Sequence, residues 1–167
     1  ANVEYEKLLE MDTVNPMFPE TDLVIIIGAN DVVNPAAMEA EGTPIYGMPI
    51  LRADEAKNVI VCNFDTKPGY AGVDNPLYDM DKTIMMLGDA GETVQDIINA
   101  SSAPLGAGAG QAAAPAAGGS DVANIVGNAK KVIIVPGYGM ALAQAQQKVK
   151  QLADTFEAKG AEVDFAI

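Results

Sequence analysis

Gly137 and Gly139 stand where an apolar run ends and a helical pattern begins. Lys131-Val132-Ile133-Ile134-Val135-Pro136-Gly137-Tyr138-Gly139-Met140-Ala141-Leu142-Ala143 reads as strand, glycine turn, helix. That arrangement opens a dinucleotide-binding unit. The first glycine permits the tight turn, the second lets backbone approach a pyrophosphate, and the N–H groups at the helix start face the anion. Gly137, Tyr138, Gly139, Met140, Ala141 and Leu142 are therefore the candidate pyrophosphate turn. Leu142 replaces the third glycine of the fingerprint, and an ordinary turn of small residues satisfies the same pattern. Such a unit normally begins a fold, yet only one helix and one strand follow it before Ile167.

Three further segments carry groups suited to a ligand. Gly28, Ala29, Asn30, Asp31 and Val32 follow the apolar run Leu23–Ile27, at the strand end where open α/β sheets bind ligands. The Asp31 carboxylate suits acceptance from an amide or hydroxyl, or a proton-coupled role; a solvated Asx turn is the alternative. Asn63, Phe64, Asp65, Thr66, Lys67, Pro68, Gly69, Tyr70, Ala71, Gly72 and Val73 form the loop after a second apolar run. Gly69 and Gly72 flank Tyr70 and Ala71, as in a hinged flap whose ring closes over a ligand, or as in a plain surface loop. Asp89 and Ala90 follow Gly88 at a further strand end, where Asp89 also fits a helix N-cap. All four segments converge on one edge of one sheet.

The elements that must position them are short and alternate. Apolar runs at Leu23–Ile27 and Asn58–Cys62 predict buried parallel strands, and Thr83–Leu87 a third strand. Val3–Met11 reads as a strand or a short helix, with alternation and its Val and Tyr favouring an edge strand, and Ala161–Ile167 as a last strand. Helices are expected over Pro35–Glu41, Glu92–Ala100, Asp121–Gly127 and Met140 to about Lys159, with Val94, Ile97 and Ile98 on one face. Strand–loop–helix alternation gives an α/β fold: a doubly wound, mostly parallel Rossmann-like sheet in a single domain, residues 1–167. From Ser101 to Ser120 the composition collapses to Ala, Gly, Pro and Ser, a linker whose r.m.s. span of roughly 25 Å matches the width of a small domain.

Composition excludes several classes. A net charge of −13 argues against nucleic acid or an anionic membrane surface as a direct partner. An anionic cofactor would then rely on backbone amides and helix dipoles. Cys62 is the single cysteine and histidine is absent. That excludes a disulfide framework within one chain and points away from a zinc site or a His-based triad, so no metal is expected. No apolar stretch approaches the roughly 20 residues of a membrane span, and no secretory signal is visible. A soluble domain in a reducing compartment is the expectation.

Pro136–Gln146 (PGYGMALAQAQ), Ile27–Ala37 (IGANDVVNPAA), Pro44–Leu51 (PIYGMPIL), Gly69–Tyr78 (GYAGVDNPLY) and Met86–Ala90 (MLGDA) together closely resemble one family. It is the NADP(H)-binding domain of proton-translocating nicotinamide nucleotide transhydrogenase, the C-terminal part of its β subunit. The resemblance implies a six-stranded doubly wound sheet holding NADP(H) in a reversed orientation. It implies hydride exchange with an NAD(H)-binding domain, and a membrane domain that carries protons as the other partner. It places the domain, without insertion of its own, at the cytoplasmic or mitochondrial-matrix face of an energy-transducing membrane. By the same resemblance Gly137–Leu142 hold the pyrophosphate, Gly47 and Met48 belong to the cofactor site, and Tyr70 is the flap residue. Asn63–Lys67 lie at the adenosine ribose, and Asp31 couples the cofactor's redox state to proton translocation. No side chain is implied as acid, base or nucleophile.

Three departures accompany the resemblance. In the family the Gly137 unit comes first; here residues 1–100 precede it, joined through the Ala/Gly segment, so the order is circularly permuted. The family continues after the strand equivalent to Ala161–Ile167 with a loop and helix that have no counterpart in this chain. Asn63-Phe64-Asp65 replaces a Lys-Arg-Ser run that grips the adenosine 2′-phosphate. Asp65 would repel that phosphate and suits an unphosphorylated ribose, with Lys67 offsetting the change in part. NADP(H) is the cofactor the resemblance implies, NAD(H) the alternative. A nucleotide-sensing or structural module without hydride transfer is the reading from another class.

Overall fold

The computed structural model describes residues 8–69, 71–102, 125–137 and 146–166. Five parallel strands form the body of the sheet: β2 (Leu23–Ile27), β3 (Val59–Asn63), β4 (Thr83–Leu87), β5 (Lys131–Pro136) and β6 (Glu162–Ala166). A two-residue ladder, β1 (Leu8–Leu9), extends it beside β6 with Leu8 opposite Phe165. The order across the sheet is β1-β6-β5-β2-β3-β4. Every residue of β2 and β3 is buried, because a parallel sheet covered on both faces favours apolar side chains pointing either way.

One face packs under two long helices. Leu23, Ile25, Ile27, Ile60 and Cys62 meet Val94, Ile97 and Ile98 of α3 (Ala90–Ser102) and Val149, Leu152, Ala153 and Phe156 of the final helix. That helix, Gln146–Ala158, is α4 once the four-residue helices α1 (Met11–Val14) and α2 (Ala36–Glu39) are counted. The buried positions of α4 fall at i, i+3, i+4 and i+7, one continuous stripe. Lys148 Nζ donates to Gln95 Oε1 at 3.2 Å, joining α4 to α3. The opposite face is covered by α1 and single turns of 3₁₀ helix, whose Phe18 and Leu77 are sealed against Val24, Ile26, Val59 and Val61.

Asp22 fastens the amino ends of the two central strands. Its Oδ2 accepts from the N–H groups of Lys130 (3.0 Å) and Lys131 (3.1 Å), and Lys57 Nζ lies 3.3 Å from Oδ1. Burial alone would raise this carboxyl; the two backbone donors and Lys57 outweigh it and hold the pKa below the ordinary aspartate value.

Several elements differ from the sequence expectation. Of the expected strand Val3–Met11, Leu8–Leu9 pair with β6 and Met11 instead opens α1, followed by 3₁₀ helix over Asn15–Glu20; residues 1–7 lie outside the described residues. Helix α3 reaches Ser102, two residues into the expected linker, and 103–120 lie outside. The expected helix from Met140 is described from Gln146.

Counted from β5 and continued through β6, β1, β2, β3 and β4, the sheet reads 3-2-1-4-5-6. That is the strand order of dinucleotide-binding sheets. The connection from β5 leads towards β6, and those from β2 lead the other way through β3 to β4. The order therefore reverses between β5 and β2, and the crevice outside their carboxyl ends is the topological switch point.

Cys62 is fully buried on β3, and burial pushes its thiol up to about 12, opposed by a hydrogen bond with Thr93 and assisted by Asp96. The thiolate is the reactive form. A disulfide reagent such as DTNB at about pH 8 is accordingly expected to leave the native protein unmodified and to titrate one thiol only after guanidinium unfolding. Rapid stoichiometric modification in native buffer would mean that this core face opens.

Candidate functional site

The switch point is built from two glycines. Gly137 N donates to Ile27 O at 2.8 Å, and Gly28, at φ +73°, donates to Cys62 O at 3.0 Å. A Cβ added to Gly137 would stand 2.5 Å from the Gly28 carbonyl oxygen and 2.7 Å from Ala29 Cα. The ends of β5 and β2 thus approach backbone to backbone, with no room for a side chain. Tyr138, Gly139, Met140, Ala141 and Leu142 lie outside the described residues.

Next to it, the loops after β2 and β3 are stitched together by carboxamides. Asn30 Nδ2 donates to Lys67 O at 3.0 Å, and Asn75 Nδ2 donates to Asn30 O at 3.2 Å. Asn34 is fully buried; its Nδ2 donates to Asp74 O (3.2 Å) and its Oδ1 accepts from Ala36 N (2.9 Å). Asn63 Nδ2 donates to Ala29 O at 3.1 Å and to the Tyr78 hydroxyl at 2.7 Å. A carbonyl can only accept, so Ala29 O fixes which end of the Asn63 amide is the NH₂. The Asn63 oxygen is then left buried without a donor. Burial pushes the Tyr78 phenol up to about 12, against the Asn63 hydrogen bond and with the Asp31 charge in support.

Asp31 faces the flap. Its Oδ2 accepts from Ala71 N at 3.0 Å, while Oδ1 is buried without a donor. A Cβ on Gly69 would stand 2.7 Å from that Oδ1, so only glycine lets the flap base lie this close. Gly72, at φ +74°, donates to Gly69 O at 2.9 Å and closes the turn. Two unpartnered acceptors, Asp31 Oδ1 in the 3₁₀ turn after β2 and Asn63 Oδ1 at the end of β3, thus lie beyond adjacent strands, each costing about 1–3 kcal/mol until a donor arrives. Met48, Ala71 and Val73 pack on one small cluster with Ala37, Ile45 and Ile50, and Gly47 N donates to Ala37 O, which braces the 44–50 segment against the flap. Tyr70 lies outside the described residues.

The remaining sequence candidates have separate places. Phe64 is 79% exposed at the end of β3. Asp65 Oδ1 accepts from Lys67 N at 2.9 Å, and Thr66, Lys67 and Pro68 are exposed. Val32 is half-buried and its carbonyl accepts from Leu51 N. Asp89 Oδ1 accepts from Gly91 N (2.9 Å) and Glu92 N (3.3 Å), so it caps α3, of which Ala90 is the first, buried residue. The structure adds Asn34, Asn75 and Tyr78, which sequence reasoning passed over. Asn75 carried a usable signal: asparagine before Pro76 is the cap-and-proline start of a helical turn, and its Oδ1 does accept from Leu77 N.

The family described as NAD(P) transhydrogenase beta subunit matches residues 1–100 and 103–167. The chain belongs to that family. Two curated relatives, both NAD(P) transhydrogenase subunit beta from Rhodospirillum rubrum, are each 42% identical over 100 residues, which is 60% of this chain and 22% of the relative. The chain therefore spans about a fifth of the length of these transhydrogenase beta subunits. Among its described residues no helix is long and apolar enough to cross a membrane. Nor do they contain a His, Cys, Asp and Glu cluster suited to a metal ion.

Proposed function

We propose that this domain of a transhydrogenase beta subunit holds a nicotinamide dinucleotide outside the carboxyl ends of β5, β2 and β3. Hydride would then pass directly to or from a second nicotinamide nucleotide on a partner domain. One observation carries the reading: the backbone approach of Gly28 and Gly137 at the switch point of a 3-2-1-4-5-6 sheet. A pyrophosphate needs close access to main chain without side-chain bulk, and the glycine pair provides it.

When bound, the dinucleotides supply the redox chemistry: hydride leaves the dihydronicotinamide of one and reduces the oxidised ring of the other, with no free proton or electron released. The chain's own groups bind and orient. Gly137–Leu142 form the pyrophosphate turn, with Gly28–Val32 beside it. Asn63–Lys67 lie at the adenosine ribose, and the flap hinged at Gly69 and Gly72, braced by Gly47 and Met48, closes over the ligand through Tyr70. Asp31, bonded to Ala71 N, links flap position to proton translocation by the membrane domain, at the cytoplasmic or matrix face. The family pattern assigns NADP(H); NAD(H) is a second reading, favoured by the acidic loop after β3.

The same proposal treats residues 1–167 as one domain in rotated order, residues 1–100 being the later half and 121–167 the first strand–helix–strand unit. The strand order supports this, since rotating the count restores the dinucleotide-binding sequence of strands. Mixing the purified chain with an NAD(H)-binding partner domain is expected to support reduction of acetylpyridine adenine dinucleotide by NADPH or NADH. A rate no higher than without the chain, despite bound nucleotide, would leave a sensing or structural module.

A further inference from the structure

We propose that the carboxyl end of β3 reads the adenosine ribose as a free 2′-hydroxyl, making NAD(H) the dinucleotide this chain prefers over NADP(H). The proposal rests on the dinucleotide reading above and specifies its substrate.

With the pyrophosphate at the switch point between β5 and β2, the neighbouring strand end on the β2 side is that of β3, one strand spacing away. Three residues there bear on what lies over it. Phe64, 79% exposed, offers an apolar ring face suited to a purine. Asn63, only 9% exposed, has both amide donors committed to Ala29 O and Tyr78, so its oxygen alone is available, and it lacks a donor. Asp65 uses one oxygen on Lys67 N within its own loop, leaving the other to accept.

The chemistry of this edge is therefore acceptance. A ribose 2′-hydroxyl donates; a 2′-phosphate offers acceptor oxygens and close to two negative charges. Within the described residues directly after β2, β3, β4 and β5 (28–35, 64–69, 71–75, 88–89 and Gly137), the basic side chain is Lys67, set against Asp31, Asp65, Asp74 and Asp89, while Arg52 farther along is paired with Asp54. Lys67 is exposed and two residues from Asp65, and a single solvated ammonium does not supply the planar, bidentate grip that phosphate recognition favours. Asp65 is the half-buried acceptor at the loop surface, while the Asn63 oxygen is fully buried.

The test measures equilibrium binding of NADH, NADPH, NAD⁺ and 2′-deoxy-NAD⁺ to the full chain by calorimetry. NADH is expected to bind at least about tenfold more tightly than NADPH near 0.1 M salt, and the gap to narrow at about 1 M salt as the repulsion is screened. 2′-deoxy-NAD⁺, which lacks the donor, is expected to bind about tenfold more weakly than NAD⁺. Asp65→Lys, at a side chain bonded only within its own loop, is expected to raise NADPH affinity about tenfold with an unchanged circular dichroism spectrum. Phe64→Ala should weaken both nucleotides about equally. Equal or tighter binding of NADPH by the unsubstituted chain overturns the ribose assignment while leaving the dinucleotide reading intact. Binding of neither nucleotide overturns both.

Discussion

Gly137→Ala is expected to lower the stability of the domain by about 3 kcal/mol and to abolish dinucleotide binding. The new methyl group would lie 2.5 Å from the Gly28 carbonyl oxygen and 2.6 Å from its carbon. Both obstacles are main chain of the central strand pair, not the free end of a side chain. Relief requires β5 to slide from β2, and the hydrogen bond from Gly137 N to Ile27 O, at 2.8 Å, breaks first. Because overpacking in a rigid interior costs about 1–3 kcal/mol, and these neighbours are among the least movable, the effect belongs at the upper end. Urea denaturation gives the stability, and titration with NADH or NADPH gives the binding. An alanine variant with the midpoint and affinity of the parent chain would show that the two glycines do not approach this closely in solution.

Phe156→Ala should be costlier still in stability, by about 3–5 kcal/mol. Phe156 is fully buried and belongs to the cluster that seats α4 beside α3 on the sheet face containing Ile25, Ile60 and Ile134. Removing the ring leaves a cavity whose walls are strands held in register by their neighbours, so collapse is limited. For a domain of this size the loss corresponds to a fall in melting temperature of roughly 6–20 °C. Phe156→Leu, which keeps most of the volume, is expected to cost under about 1.5 kcal/mol. Equal melting temperatures for the two variants would place the ring outside the packed interior.

The body of the sheet was legible in the sequence because burial on two faces writes itself as uninterrupted apolar runs. Leu23–Ile27 forms a fully buried strand over the residues its run marks and the Asn58–Cys62 run one displaced by a single residue, while Thr83–Leu87 forms the edge strand β4, half-buried with Leu87 exposed. Gly28, Gly69, Asp89 and Gly137 were legible as strand-end residues, since glycine and aspartate there have local reasons. Asp89 caps α3, which also explains why that helix starts at Ala90 and not at Glu92. At the N-terminal segment only the far boundary was misjudged: the alternation of Val3–Met11 includes Met11, which belongs to α1. Asn34, Asn63, Asn75 and Tyr78 show a deeper limit: their bonds connect residues up to 45 positions apart, and no local pattern encodes which carbonyl a carboxamide will meet. Asn63 stands out in the sequence for its place at a strand end, not for its unpartnered oxygen.

Asp22 and Lys131, hydrogen-bonded across the central strand pair, are 109 residues apart in the chain. Pairings of such separation close slowly, because loop entropy must be lost before they form. During synthesis at about 5–20 residues per second, β2 emerges roughly 5–20 s before β5. Throughout that interval one edge of an all-apolar strand, Leu-Val-Ile-Ile-Ile, is left without its neighbour. The crevice that would receive the dinucleotide thus forms only once β5 has emerged, and until then the nascent chain carries an uncovered apolar strand edge at its future centre.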